Sequence, residues 1–313
     1  MKRGPHQPPN PLRVPRTTEP KTEITTPERK IPLLADEKRN LARAAADGLS
    51  DKVHEDWGGR ILFAAVMGSH AYGLDGENSD VDVRAIHAVD PVHFLEMVPR
   101  VTPSSPAATV SLGDGTDSES TELGKFCSLA LNGNPSILEF LFVPTECVLL
   151  SSPEYAFLRA NRQKFLGKRR MRNAYLGYAT GQFFRMLPRG PMKKPAGDHR
   201  PPSMATAIEL LREESDIDAV DYDLKNATHN LRLLMSLNSA LTSGDLQVRV
   251  EGGREALRNV KEGRVPLSHF LEMMAEQEAQ VPANMEASEL PEDPDMGFVT
   301  DFVRRFRLRM LNR

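Results

Sequence analysis

Several features that mark common protein classes are missing from this 313-residue sequence. Only two cysteines are present, Cys127 and Cys147, and they form no Cys-x-x-Cys pair, so zinc and dithiol redox motifs are excluded. No apolar run approaches the roughly 20 residues that a membrane-spanning helix needs. The N-terminus lacks the apolar core of a signal peptide. We therefore expect a cytoplasmic protein with no membrane partner.

An excess of basic charge is also absent, because 40 Lys and Arg residues are balanced by 43 Asp and Glu residues, which gives a net charge of −3. A chain-wide positive field that attracts nucleic acid is therefore excluded, and any such contact must come from local patches. Apolar residues make up 40% of the chain, which is enough for a core. Residues 1–32 are the exception, since they are rich in Pro, Thr and charge, and we predict a disordered tail there.

The residues typical of a reaction site are concentrated at positions 61–86. An apolar run predicts a buried strand, and the pair Gly68-Ser69 that follows allows a ligand to approach the backbone closely. A turn-rich loop leads to a second predicted strand, on which Asp80 and Asp82 share one face. Neighbouring carboxylates repel each other, so this pair indicates a bound cation. An EF-hand is excluded, because Asp80 stands where its invariant glycine should be.

Gly68-Ser69 followed by Asp80-Val81-Asp82 resembles the signature of the DNA polymerase beta-like nucleotidyltransferase superfamily. The longer strings GSHAYGL and SDVDVR are similar to one branch of it, the predicted nucleotidyltransferases found beside RNA ligases. We therefore expect an α/β (α+β) fold, with a small mixed, mostly antiparallel sheet that carries helices on one side. Residues 33–150 would form this catalytic domain, and residues 151–313 would form a mainly helical domain that closes the nucleotide cleft.

The superfamily uses a third carboxylate on a later strand. In the branch that this chain resembles, an Asp precedes a Leu-x-Lys-Phe helix start, which matches residues 123–126, and Asp117 falls at the corresponding distance. Glu119 would share a strand face with Asp117 and is the alternative. The resemblance implies that Asp80, Asp82 and Asp117 are catalytic and hold Mg²⁺ or Mn²⁺.

A second matching segment reads Tyr-Asp-x-Lys-x-Ala-x-His-x-x-Arg-Leu and predicts a helix. Its residues Lys225, His229 and Arg232 fall at i, i+4 and i+7, so they line one helix face. Three cationic or potentially cationic groups repel each other unless an anion or carboxylates lie opposite. We expect this face to bind the triphosphate of the nucleotide. The alternatives are that this face is solvated or that it pairs with acids such as Asp223.

Together these matches predict a magnesium-dependent enzyme that uses a nucleoside triphosphate, such as ATP, as its substrate. It would transfer the nucleoside monophosphate to an acceptor hydroxyl on RNA, protein or a small molecule, and pyrophosphate would leave. Gly68 and Ser69 would contact the β- and γ-phosphates. Arg84, two residues after Asp82, is expected to pair with the carboxylates or with phosphate.

Two other functions are consistent with the sequence. The same fold serves as a catalytically idle binding partner, for example as an antitoxin, although intact Asp80, Asp82 and Asp117 favour the enzyme. A nucleic-acid-binding adaptor would use the basic stretch at residues 159–200. This stretch is equally consistent with a solvated helix face.

In the second half, the residue pattern predicts a short strand at residues 246–250 and a helix at residues 267–280. An acidic loop is expected to follow this helix at residues 282–295. The last predicted helix covers residues 297–313, and its Phe298, Phe302 and Phe306 are expected to pack in the core.

Overall fold

The fold is described from a computed structural model of the chain. The structure describes residues 36–77, 79–95, 102, 109–112, 117–187, 204–212, 216–249 and 251–312. These residues belong to one compact unit, residues 34–313. The predicted tail at residues 1–32 lies outside the described residues, and the predicted division near residue 150 remains a prediction.

A five-stranded mixed sheet has the strand order β3-β4-β2-β1-β5. Its strands are Arg60–Val66 (β1), Val83–Ala88 (β2), Thr109–Ser111 (β3), Ser118–Glu122 (β4) and Val148–Ser151 (β5). Strand β1 is antiparallel to β2 and to β5, and β3 is antiparallel to β4, whereas β2 and β4 are parallel. The predicted mixed, mostly antiparallel sheet is therefore confirmed, although the sequence did not predict β5.

Helices make up most of the remaining described chain. The α-helices are Asp36–Trp57 (α1), Gly68–Tyr72 (α2), Leu123–Leu131 (α3), Pro135–Leu138 (α4), Pro153–Ala160 (α5), Lys168–Met186 (α6), Met204–Arg212 (α7), Leu224–Ser243 (α8), Arg254–Lys261 (α9), Leu267–Ala287 (α10) and Met296–Leu311 (α11). Short 3₁₀ helices cover Pro91–Phe94, Glu139–Phe142, Thr145–Cys147, Arg162–Phe165, Ile217–Ala219 and Glu251–Gly253. None of the helices in the described ranges combines the length and apolar character needed to cross a bilayer.

Helices cover both faces of the sheet, so the prediction that they lie on one side is wrong. On one face, Ala64 and Val66 of β1 pack against Leu49 of α1. On the opposite face, Ala65 belongs to the large core that includes Phe126 of α3 and most of the later helices. Because β1 is buried on both faces, its sequence is a continuous apolar run without alternation.

Helix α8 lies at the centre of the helical part and packs against α6 and α10. Most of its residues are buried, which a single apolar stripe would not predict. Asp223 caps its N-terminus, where its Oδ1 accepts a hydrogen bond from the backbone N–H of Asn226 at 2.7 Å. The carboxylate of Asp223 is therefore engaged by the helix backbone.

Two predictions for the second half are wrong. Helix α10 continues through Pro282 to Ala287 instead of ending at residue 280. The hydrogen bond that Pro282 cannot donate is offset by the burial of Val281 and by Lys168, whose Nζ donates to the carbonyls of Met285 and Ser288.

The predicted strand at residues 246–250 is not formed by its described residues, 246–249. Leu246 and Val248 are buried, so packing of an irregular segment produces the alternation that resembled a strand. Helix α11 agrees with its prediction, because Phe302 and Phe306 are buried and Phe298 packs at the edge of the core.

Candidate functional site

Asp82 and Asp117 lie next to each other at one edge of the sheet. The first residues of the parallel strands β2 and β4, Val83 and Ser118, are paired. The N–H of Val83 donates to the carbonyl of Asp117 at 3.1 Å. Since parallel strands begin at the same edge, the residues directly before them are neighbours. Strand β2 begins at Val83 rather than at Asp80, so both acids of the predicted pair precede the strand, and Asp80 is exposed.

Arg84 connects three carboxylates at this edge. Its Nε lies 2.9 Å from Oδ1 of Asp82, its Nη2 lies 2.8 Å from Oδ1 of Asp117, and its Nη1 lies 3.9 Å from Oε2 of Glu119. The expected pairing of Arg84 with the carboxylates is therefore present. Both candidates for the third carboxylate face this guanidinium, and the choice of Asp117 over Glu119 remains a prediction.

Asp82 is in an unfavourable environment for a carboxylate. Burial raises the pKa of its carboxyl from 3.8 to about 6; Arg84 opposes the rise, whereas Asp117 and Glu119 add to it. Its Oδ1 is buried and, although close to Arg84, makes no hydrogen bond of acceptable geometry in the described structure. A buried carboxylate oxygen without a hydrogen bond is costly, so a further cation would stabilise this edge of the sheet.

The donor chemistry of this edge suits magnesium, because Mg²⁺ prefers oxygen ligands and carboxylates in particular. Among the residues that the structure describes, however, no three His, Cys, Asp or Glu side chains are grouped so that they could hold a metal ion. Arg84 is one reason why these acids do not form such a group, since its guanidinium lies between Asp82 and Asp117. The two acids therefore fit a metal by type and position, but they are not arranged as a closed ligand set.

Gly68 and Ser69 begin helix α2 beside Asp82. Gly68 has a φ of 61°, and a Cβ atom placed on it would lie 3.4 Å from Oδ2 of Asp82. The N–H of Met67 donates to the carbonyl of Asp82 at 2.8 Å, which holds the two ends of the intervening loop together. The positive φ therefore favours glycine at this position, and an added Cβ atom would be in van der Waals contact with the Asp82 carboxylate.

The three predicted basic residues of α8 have different environments. Lys225 is exposed, whereas Arg232 is 1% exposed and pairs with the carboxylate of Glu139, which is also buried. The guanidinium of Arg232 lies 3.7 Å from the ring centroid of Tyr72, and the Tyr72 hydroxyl donates to Oε2 of Glu139 at 2.9 Å. Arg232 therefore pairs with an acid, as in the alternative drawn from the sequence, but the acid is Glu139 and not the helix cap.

His229 belongs to the same buried group. Arg232 Nη2 lies 3.2 Å from Nδ1 of His229, and this nitrogen must accept because a guanidinium only donates. Burial, together with the smaller effect of the Arg232 charge, lowers the pKa of His229 to about 3. The ring is therefore neutral near pH 7, and contact of Lys225, His229 and Arg232 with a nucleotide remains a prediction.

A family model for the RNA repair pathway DNA polymerase beta family matches residues 41–290, which is most of the 313-residue chain. The chain belongs to this family. The match confirms the resemblance to polymerase beta-like nucleotidyltransferases of the RNA ligase-associated branch, and it supports a nucleotidyltransferase-type role. No curated protein matches the sequence.

The family description includes RNA repair, so the basic stretch at residues 159–200 has to be tested as an RNA-binding surface. Four of the eight Lys and Arg residues described in this stretch are paired with the acidic segment that follows α10. The pairs are Lys164 with Asp295 at 3.0 Å, Lys168 with Glu292 at 3.2 Å, Arg170 with Asp293 at 3.4 Å, and Arg169 with Asp293. This pairing argues against a free RNA-binding surface at residues 164–170, whereas residues 188–200 lie outside the described part.

A cavity of about 670 Å³ lies in a part of the protein away from Asp82 and Asp117. It is lined by Glu122, Cys127 and Val303, among others, and is therefore at the opposite end of β4 from Asp117. The volume suits a small ligand, but none of the predicted catalytic or phosphate-binding residues lines it.

Residues with a role near the site were also missed from the sequence. Glu139 is one of them, because its partner Arg232 lies 93 positions further along the chain. Lys38, Arg249 and Lys261 contact backbone carbonyls of the loop that carries Gly68. A carbonyl acceptor is present at every position, so no residue pattern could have indicated these contacts.

Proposed function

We propose that this chain is a metal-dependent nucleotidyltransferase that transfers a nucleoside monophosphate from a nucleoside triphosphate to an acceptor hydroxyl and releases pyrophosphate. The supporting observation is the placement of Asp82 and Asp117 at the start of two parallel strands, beside the tightly turned Gly68. Membership of a polymerase beta family agrees with this reaction.

In this proposal Asp80, Asp82 and Asp117 hold Mg²⁺ or Mn²⁺. A bound divalent ion neutralises the triphosphate and lowers the pKa of the acceptor hydroxyl. Asp117 is 65% exposed at its side chain and accepts the proton of that hydroxyl. Gly68 and Ser69 bind the β- and γ-phosphates through their N–H groups and the Ser69 hydroxyl.

Arg84 has to change partners in the metal-bound state. It holds both Asp82 and Asp117 in the present arrangement, and a carboxylate that binds a divalent ion loses much of its attraction for a guanidinium. Glu119 lies 3.9 Å from Arg84 Nη1 and can keep the guanidinium at this edge. We therefore propose Asp117 as the metal ligand and Glu119 as the partner of Arg84.

On the helical side, Lys225 and His229 are proposed to contact the triphosphate. Arg232 acts indirectly, because it is buried and holds Tyr72 at the end of α2. The acceptor is an RNA end, a protein hydroxyl or a small molecule, and the family description favours RNA among these.

A catalytically idle binding protein is the second candidate. It is favoured by Arg84, whose guanidinium already lies between Asp82 and Asp117. A protein that only binds would need no metal, and this arrangement would then be its resting state.

Incubation with each α-³²P-labelled nucleoside triphosphate, Mg²⁺ and total cell extract tests the proposal. We expect label in one macromolecular or small-molecule fraction with the wild type, and none with the Asp80→Asn/Asp82→Asn double variant, which should remain folded because removing two charges relieves repulsion. Equal labelling by both proteins would contradict the enzyme. Nucleotide binding without labelling by the wild type would support the idle binding protein.

A further inference from the structure

Helix α2 is held at its C-terminal end by cations from a distant part of the chain. Arg249 donates from Nε to the carbonyl of Ala71 at 3.2 Å and from Nη2 to the carbonyl of His70 at 3.3 Å. Arg254 Nε donates to the carbonyl of Gly73 at 3.0 Å, and Lys261 Nζ donates to that of Leu74 at 2.5 Å. Four of the five carbonyls of residues 70–74 are thus contacted by three charged side chains.

The position of these contacts has a physical reason. The last carbonyls of an α-helix have no intrahelical partners, and cations near them interact favourably with the helix dipole. A helix of five residues is too short to be stable by itself, so its orientation depends on contacts of this kind. Gly73 has a φ of 68°, and a Cβ atom placed on it would lie 3.5 Å from Arg249 Nε and 3.7 Å from Arg254 Cζ. The two guanidinium groups therefore pack directly on the backbone of the turn.

The other half of the same loop is held from helix α1. Lys38 Nζ donates to the carbonyls of Glu77 and Ser79, each at 2.9 Å, and lies 3.4 Å from that of Gly76. The loop between β1 and β2, residues 67–82, is thus held by side chains from both faces of the sheet. Arg249 also pairs with Glu146, which lies just before strand β5. Arg249, Arg254 and Lys261 are together called the clamp.

We infer that Arg249, Arg254 and Lys261 are positioning residues for nucleotide transfer. They fix the C-terminal end of α2, so that Gly68 and Ser69 at its other end remain opposite Asp82. The inference rests on the proposed function, since it takes Gly68 and Ser69 as the phosphate contacts. All three cations act through the backbone carbonyls that they contact.

Two variants test the clamp, Arg254→Met and Lys261→Met, because each keeps an apolar side chain and removes the donor. Arg258→Met is the matched control, since Arg258 is an exposed cation on the same helix α9. Lys261→Arg keeps a charged donor and should restore the wild-type behaviour. Each protein is measured without nucleotide by amide hydrogen exchange, and then by calorimetric titration with a non-hydrolysable triphosphate and Mg²⁺.

A charged hydrogen bond stabilises the structure that it holds, so its loss should accelerate exchange of the amides at residues 68–77 about ten- to a hundredfold. Triphosphate affinity should weaken by a similar factor. The control and the Lys261→Arg variant should match the wild type in both measurements. Unchanged exchange in both methionine variants would overturn the inference, and so would faster exchange with unchanged affinity. A wild type that binds the triphosphate but transfers no label would instead overturn the proposed reaction and leave the clamp standing.

Discussion

Removal of the Arg232 guanidinium should destabilise the protein strongly. Arg232 and Glu139 are 1% and 0% exposed, so Arg232→Met leaves a buried carboxylate with the Tyr72 hydroxyl as its remaining donor among the described contacts. Breaking a buried ion pair on one side costs about 3–5 kcal/mol, because the other charge stays desolvated. We expect a loss of this size in the free energy of unfolding.

The cost of the unpaired charge can be separated from loss of packing with a double variant. In Arg232→Met/Glu139→Gln both charges are gone, and replacing a whole buried pair is often neutral or stabilising. The double variant should therefore be more stable than Arg232→Met alone. Lys225→Met on the same helix removes an exposed cation and should change stability by less than about 0.5 kcal/mol.

Urea unfolding followed by circular dichroism near pH 7.5 measures all four proteins. The reasoning is refuted if Arg232→Met costs less than about 1 kcal/mol, or if the double variant is as unstable as the single one. This outcome would also restore the expectation drawn from the sequence, in which Arg232 binds triphosphate and its removal spares stability.

Three further predictions concern the edge of the sheet. Asp117 and Glu119 are the two candidates for the third metal ligand, and labelling assays on Asp117→Ala and Glu119→Ala decide between them. Alanine at the true ligand should abolish nucleotide transfer, and alanine at the other acid should not. Two active variants would place the ligand elsewhere. Burial raises the pKa of Asp82 from 3.8 to about 6, so the folded state favours the protonated carboxyl. Without metal, the wild type should therefore lose stability relative to Asp82→Asn as the pH rises from about 4 to about 6. A stability difference that is the same at every pH in thermal melts would contradict this. Gly68→Ala places a side chain at a φ of 61° and should cost about 1 kcal/mol or more in melts while reducing transfer; full activity would show that the close approach to Asp82 is unimportant.

The sequence predicts the edge of the sheet well, because its signals are local. Gly68 and the acids around Val81 lie within one stretch of chain, and their spacing already indicates a turn followed by a strand. The predicted start of β2 was three residues too early, since Val81 continues the alternation although the ladder begins at Val83. Strand β5 was missed because Val148–Ser151 is too short to show a period.

Contacts between distant parts of the chain were not predictable in the same way. The face with Lys225, His229 and Arg232 was recognised, but spacing alone cannot decide whether the opposing anion is a ligand or a protein carboxylate. That choice depends on Glu139, whose position relative to α8 is fixed by packing of the whole helical part. Helix α10 similarly passes through Pro282 because tertiary contacts outweigh a local preference.

The parallel pairing of β2 and β4 also bears on when activity can first appear during folding. Asp82 and Asp117 become neighbours only after the intervening chain, which includes β3, has closed and the two strands have aligned. Pairings between strands that are distant in sequence form slowly, because the entropy of closing the loop is lost before any contact is gained. A nascent or partly unfolded chain can thus contain Gly68, Ser69 and Asp82 in their local order and still lack the second acid. Refolding experiments should therefore find that the metal affinity proposed for these acids returns together with the last structural phase and not with the first helices.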